Sequence, residues 1–572
     1  MCNHCDREFG MNTSTTSLRY HLEREHEEHD VDEGRHFSAK KADMLVARFV
    51  VNNCLSLRTT TSSDFTALVG YLRRGYKPPG KDRLRDTMAI KMRTRMVEVM
   101  RGKMKTIDHY SATLDSWTSP ACRPYITVTL HGATAAFKME SFMLGLVPVK
   151  ASETAALIAQ VVEDEIHEWG IDRSKIIGLT SDGARNMSSA ITTHLRIEWI
   201  YCLAHVINLC VRLALRLPNV KTVVKAAKAI CRTFKASSVA KRALEERQTE
   251  LGLPVRSLKV DNKTRWGSTY EMLKRLTASR PAVSACLATL HGLRKPVPDD
   301  LTSAQWSLIE KMADVLEPFQ DVTEFLSHEK HPTIGAVMPI MLGTIPAHLK
   351  VVTADGPTIK AFKKRLAKEI DIRWDILNVN APETLLLAVY LDPRFKDFRF
   401  IVDAEEREIC VRRAVDAIAK LVKGMATGGP SHATNSANAD DEVSSYVAKR
   451  NRLFGEAAMS YSPPSTDADD QNTEVERYRR KSACAAFGDP SAPNEPSPML
   501  DPLVWWKQRQ SKFPRLAALA RRYLSITCTS VPSERVFSKC GWIVNKRRCS
   551  LSDKNIALLA FLSCNQSHLL QE

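Results

Sequence analysis

Three short runs rich in β-branched and aromatic residues stand in close succession: "YSATLDSWTS" (110–119), "RPYITVTLH" (123–131) and "FKMESFMLGLVPV" (137–149). Each is bounded by Pro, Gly or Ser, the punctuation of strands that turn back on one another. A helix is expected next, with Ser152 as its N-cap and Glu153 behind it, running to Trp169. "KIIGLTSDGARNM" then returns as a strand that runs into a helix start. Three strands, a helix and another strand describe an α/β sheet of mixed order.

The rest of the chain is helical or polar. Residues 40–110 are largely helical in pattern, broken by "GYKPPGK", and 203–420 are mostly amphipathic helix, as in "AHVINLCVRLALRL" and "SLIEKMADVLEPFQDVTEFL". Residues 27–36 ("EEHDVDEGRH") have the composition of a linker. The stretch 424–500 is rich in Gly, Pro, Ser, Asn and Asp, so burial there does not offset the entropy of ordering, and disorder is expected. From 501 a helical, apolar pattern resumes. At 572 residues the chain exceeds one ordinary core of about 150 residues, which leaves three or four units or one large domain carrying an insertion.

The formal net charge is +17 and the pI about 9.2. Cationic side chains placed on phosphates release condensed counterions, so nucleic acid is the first partner to consider. Residues 71–106 carry twelve Lys or Arg against three acids, and 501–572 carry twelve against four. Within them Arg73, Arg74 and Lys77, and the cluster Lys546, Arg547 and Arg548, are the candidate phosphate contacts; solvated helix faces are the plain alternative. No apolar run approaches the ~20 residues of a membrane span, and no apolar signal core follows Met1. An intracellular chain is expected, with its fourteen Cys buried or metal-bound rather than paired.

"CNHCDREFGMNTSTTSLRYHLEREH" places Cys2 and Cys5 two residues apart, followed by His21 and His26 on a helical run. Two thiolates on a turn and two imidazoles about one helical turn apart can close a tetrahedron on Zn²⁺, with Zn–S near ~2.3 Å. Since only Met1 precedes Cys2, an incomplete finger or a missing start is expected.

Asp115 and Asp182 stand where strands end, at "ATLD" and "LTSD". Two carboxylates at neighbouring strand ends can face one crevice, where cations relieve their repulsion. A third carboxylate would complete a site for two Mg²⁺ ions about 3.5–4 Å apart. Turn or N-cap roles are the ordinary alternative for such Asp residues. Glu534, in "SVPSERVFSKCG", reads on spacing alone as a first-turn acid complementing the helix dipole, capped by Ser533.

Several segments together resemble one family. "CNHC" with "LRYHLEREH" resembles a BED zinc finger, and "YKPPGKDRLRDTM" resembles the segment ahead of a catalytic core. "LDSWTS", "GLTSDGARNM", "CLAHVINLCV" and "TRWGSTYEML" resemble core motifs, and "LDPRFK" a late insertion motif. The stretch 501–562 resembles a C-terminal dimerisation region. The chain is thus identified as similar to the hAT transposase superfamily and its zinc finger BED (ZBED) members. The resemblance implies an RNase H-like core interrupted by a large all-α insertion, with Asp115, Asp182 and Glu534 as a divalent-metal triad holding Mg²⁺ or Mn²⁺ in active members. It makes Arg265 and Trp266 the insertion-domain Arg-Trp pair, whose indole stacks on a displaced base, although core packing suits a Trp equally. Cys202 and His205 match a Cys-x-x-His motif, read here as packing and site support.

The organisation expected is a partial BED finger (1–28), a linker (29–39), a basic helical DNA-binding or intertwining region (40–110) and the first part of the core (111–235). An all-α insertion (236–423), a disordered linker (424–500) and a dimerisation region that completes the core (501–572) follow. The function expected is a dimeric, zinc-dependent binder of double-stranded DNA acting in the nucleus on transcription. A metal-dependent Asp-Asp-Glu transposase is the alternative. Because "EREHEEHDVDE" turns acidic beyond the finger helix, most phosphate contact is assigned to 71–106 and 546–548.

Overall fold

The computed structural model describes residues 37–425, 473–481, 501–544 and 551–568, except 121, 151, 263–264, 291–296 and 379–382, together with Ser17 and His21. The chain divides into two compact units, Met1–Met92 and Arg93–Glu572.

In the first unit helices span Ala39–Asn52 and Ser63–Leu72, capped by the hydroxyls of Ser38 and Ser62. The expected break falls at Gly75, whose φ of +84° is a left-handed conformation that a side chain would strain.

The second unit is built on a five-stranded sheet in the order β3-β2-β1-β4-β5. The strands are β1 (Tyr110–Thr118), β2 (Pro124–Ala133), β3 (Met139–Pro148), β4 (Ile176–Ser181) and β5 (Trp199–Tyr201). β1, β2 and β3 pair antiparallel; β4 lies parallel to β1 and to β5. This is the mixed sheet expected. The crossover helix Ala155–Trp169 packs on β2 and β3. Its N-cap is Thr154, whose hydroxyl accepts from the Leu157 N–H, rather than Ser152. Gly170, at φ +66°, ends it by letting the Ile171 N–H reach back to the Ile166 carbonyl.

Helices from Leu203 to Gly424 gather around Ser303–Leu326, which packs on Leu203–Ala214, Gly267–Ala278 and Pro357–Asn378. One hydrophobic core joins these helices to each other and to Ala133, Phe137 and Met139 at the far end of the sheet.

The C-terminal region closes both parts. Helix Val531–Ile543 lies on β1 and β2, and Asp553–Cys564 lies on β3. The Asn565 side chain pairs with both backbone groups of Met143, at 3.0 and 2.9 Å, and adds a latch on β3.

Two expectations are corrected: disorder throughout 424–500, and a partner surface made by Trp505, Trp506 and the apolar run 557–562. Within the stretch expected to be disordered, Glu474–Arg480 is a helix with a Thr473/Glu476 capping box; the remainder, 426–472 and 482–500, lies outside the described residues. Its Tyr478 is fully buried against Trp506, Tyr390 and Phe513, and this anchor offsets the polar flanks. Trp505 and Trp506 are likewise buried in their own chain, the Trp506 indole donating to the Leu391 carbonyl at 2.7 Å. Neither ring is left to cover a partner, nor are Leu559 to Leu562.

Candidate functional site

Asp115 lies in the C-terminal half of β1 and Asp182 directly after β4, the parallel neighbour of β1, so the two strands deliver both carboxylates toward the same end of the sheet. The Ser116 N–H donates to Asp115 Oδ1 at 2.9 Å. The Ala184 N–H donates to Asp182 Oδ1 at 3.1 Å, so Asp182 also makes the turn into helix Arg185–Ser189. Gly183 fits this turn because a Cβ there would meet the Tyr201 hydroxyl at 2.5 Å.

Glu534 reaches the same place through segment 525–530, which is tied to β1, β4 and helix Leu203–Ala214. Ser111 Oγ donates to the Ser525 carbonyl at 3.2 Å, Thr180 Oγ1 to the Thr527 carbonyl at 2.6 Å, and the Leu203 N–H to the Cys528 carbonyl at 3.0 Å. The Ser530 N–H donates to Cys202 Sγ at 3.3 Å. Cys202 precedes helix Leu203–Ala214 and its thiol, pushed up to about 11 by burial, accepts this bond at the back of the segment. Helix Val531–Ile543 then starts with Glu534 in its first turn. Ser533 is not its cap. Ser533 Oγ lies 2.7 Å from Thr113 Oγ1 on β1, which fixes the register of the helix over the strand. Trp117 stacks on Phe537 at 5.7 Å one turn further on.

Beneath this helix the hydroxyl chain continues from Thr113 to Thr129 and on to His131 Nε2, 2.7 Å from Thr129 Oγ1. Burial holds His131 down at about 4, so the floor of the site is uncharged.

The three acids share one field. Burial, then the charges of Glu534 and Asp182, push Asp115 up to about 8; the Ser116 N–H and Arg265 pull the other way. Arg265 forms an ion pair with Glu534, with side chains 64% and 28% exposed. Carboxylate oxygens are the donors a hard cation takes, so the residue types suit Mg²⁺ or Mn²⁺. The arrangement does not: among the described residues no three His, Cys, Asp or Glu side chains are grouped to hold one ion, and Glu534 faces Arg265.

Trp266, beside Arg265, is buried between Tyr270 and Phe319, with its backbone N–H donating to Asn208 Oδ1 at 3.2 Å. It is packed as a core residue here, and its ring offers no open face to a base. Of the four candidate zinc ligands only His21 is described, helical and buried; Cys2, Cys5 and His26 lie outside the described residues, as do Lys546, Arg547 and Arg548. In the first unit Arg73, Arg74 and Lys77 line one pocket together with Arg83 and Asp43. Sequence reasoning missed the Arg265–Glu534 pair and the part of Asp43; Arg83 could have been found, since it sits in the same basic stretch. Among the described residues no helix is long and apolar enough to cross a membrane.

Three domain families match this chain. The ZBED1 RNase-like domain matches residues 113–200, the ZBED1 RNase-like helical domain 200–315, and the hAT family C-terminal dimerisation region 486–565. A protein of Zea mays named as an AC transposase is 23% identical over 81% of this chain and 57% of its own length. Zinc finger BED domain-containing protein 6 of Homo sapiens is 26% identical over 79% of this chain and 48% of its own. A Talaromyces stipitatus protein named as the transcriptional regulator tpeD is 22% identical over 94% and 63%. The chain spans about half the length of the first two.

Proposed function

We propose that this chain, which belongs with the hAT transposases and zinc finger BED domain-containing proteins, is a dimeric DNA-binding regulator that acts in the nucleus. Zn²⁺ on Cys2, Cys5, His21 and His26 would hold its finger, and the finger helix would enter the major groove. The match to a dimerisation region supports pairing of two chains, which lets two half-sites be held at once and raises affinity through effective concentration. Burial of Trp505 and Trp506 means that other residues supply the paired surface.

The observation that carries the reading is the ion pair of Glu534 with Arg265. Asp115 and Asp182 lie toward one end of the sheet and Glu534 on the helix packed over β1, yet Glu534 is engaged by a guanidinium. A scaffold of this kind binds nucleic acid without needing the acids to act.

The second reading, a transposase, is supported by the convergence of Asp115, Asp182 and Glu534, since burial and then the charges of the other two acids raise Asp115. The test of the regulator reading is selection of bound duplexes from a random pool by the full chain with Zn²⁺, beside a Cys2→Ser/Cys5→Ser variant. Recovered duplexes sharing one sequence, lost with the variant, support it. A pool without a common sequence refutes it.

A further inference from the structure

The first unit carries an open basic hollow of about 370 Å³, one side of which is held by hydrogen bonds. Its hub is Asp43, buried in helix Ala39–Asn52, which accepts from the Tyr76 hydroxyl at 2.8 Å and from Arg83 at 2.6 Å. These two bonds use up the Asp43 charge and lock one wall. On the other wall the left-handed Gly75 reverses the chain, so that the residues on both sides of it, Arg73, Arg74, Tyr76 and Lys77, line the same pocket. The Arg73 guanidinium lies 4.9 Å from the Phe37 ring centroid, a cation–π contact that orients it without neutralising it.

Arg74 and Lys77 are exposed and have no carboxylate partner among the described residues. The lining therefore carries Arg73, Arg74, Lys77 and Arg83 against Asp43 alone. A solvated basic face would be convex and mobile, with its charges spread. Here the charges converge on one hollow and part of the frame is pre-ordered, which lowers the entropic cost of gripping a small anion.

We propose that this pocket seats a single phosphate group of a DNA backbone, with Arg74 and Lys77 as its donors, Arg73 beside them, and the Asp43–Tyr76–Arg83 hub as its frame. The proposal rests on the DNA-binding reading and adds to it where the backbone is held. Each phosphate neutralised by a cation contributes about 0.9 to the slope of log affinity against log salt. Loss of the one phosphate contact with both donors should lower the slope by about 1 and weaken binding roughly tenfold.

The experiment is fluorescence polarisation of a short labelled duplex with the full chain across a NaCl series. The variants are Arg74→Gln/Lys77→Gln and, as a charge-matched control, Lys364→Gln/Lys368→Gln in helix Pro357–Asn378, where both lysines are exposed. A lower slope and a weaker affinity for the pocket variant alone support the proposal. Equal slopes for wild type and pocket variant overturn it while leaving DNA binding intact, and so does an equal fall in the control. Failure of the wild type to bind any duplex at low salt removes the DNA-binding reading itself. Calorimetry with inorganic phosphate separates the sources: phosphate bound by wild type and not by the variant, with duplex affinity unchanged between them, would assign the pocket to free phosphate and overturn the DNA assignment.

Discussion

Replacing Asp115 by Asn should stabilise the metal-free protein at alkaline pH. The carboxyl is pushed up from an ordinary 3.8 to about 8, first by burial and then by Glu534 and Asp182. A folded-state pKa above the unfolded value means that stability is fully present below about pH 4 and is lost as pH rises through about 8. In that window the unfolded chain gives up a proton the folded one retains, and above it the folded state carries an ionised acid it solvates poorly. The full shift would correspond to about 6 kcal/mol at ~1.4 kcal/mol per unit. Asp115 is only partly shielded, so solvent screening reduces this to about 2 kcal/mol. Asn keeps the acceptor for the Ser116 N–H and carries no charge. Thermal melts of wild type and Asp115→Asn, run without divalent ions near pH 4.5 and near pH 8.5, should coincide in acid and separate in base. The variant should melt higher by a few degrees, at roughly 2–4 °C per kcal/mol. A gap that is the same at both pH values, or a variant that melts lower in base, would refute the idea of three acids sharing one field.

Arg265→Gln should cost less than about 1 kcal/mol in stability, because its pair with Glu534 is largely in water. Calorimetry should nonetheless show tighter Mn²⁺ uptake, since Glu534 loses its cation; unchanged uptake would mean Arg265 does not compete for that carboxylate. Trp506→Ala should cost about 3–5 kcal/mol in a melt, while light scattering shows the same assembly as wild type, because the ring is internal core. A change of assembly without loss of stability would place Trp506 at a partner surface after all. The Cys202 thiol should resist alkylation in the folded chain, and Cys202→Ala should cost about 1–3 kcal/mol by leaving the Ser530 N–H without its acceptor. Rapid labelling of Cys202 in the native protein would contradict the burial.

The sheet was legible because its strands announce themselves locally. β-branched runs cut by Pro, Gly and Ser placed β1 to β4 within a residue or two, and Asp182 directly after β4 followed from the same alternation, whereas Asp115 sits inside β1, which runs on to Thr118. The part Glu534 plays was not legible from spacing. Nothing near it states that Ser533 will bond Thr113, or that segment 525–530 will lie along β1 and β4, because those contacts join regions far apart in the chain. Only the resemblance to a family brought it forward. The helix Glu474–Arg480 was hidden for a similar reason: its flanks are polar, and the burial that orders Tyr478 comes from Trp506 and Tyr390 elsewhere. Trp266 shows the converse, since an indole beside an Arg has the same sequence signature whether it awaits a base or fills a core, and Tyr270 and Phe319 decide for the core here.

The most direct measurement is to incubate the full chain with Mn²⁺ and a duplex carrying the ends of a related transposable element, beside Glu534→Gln, and to resolve the strands on a denaturing gel. The account predicts that both proteins retain the duplex and neither breaks it. Strand breaks made by the wild type and absent with Glu534→Gln would contradict it and make the three acids a working catalytic centre.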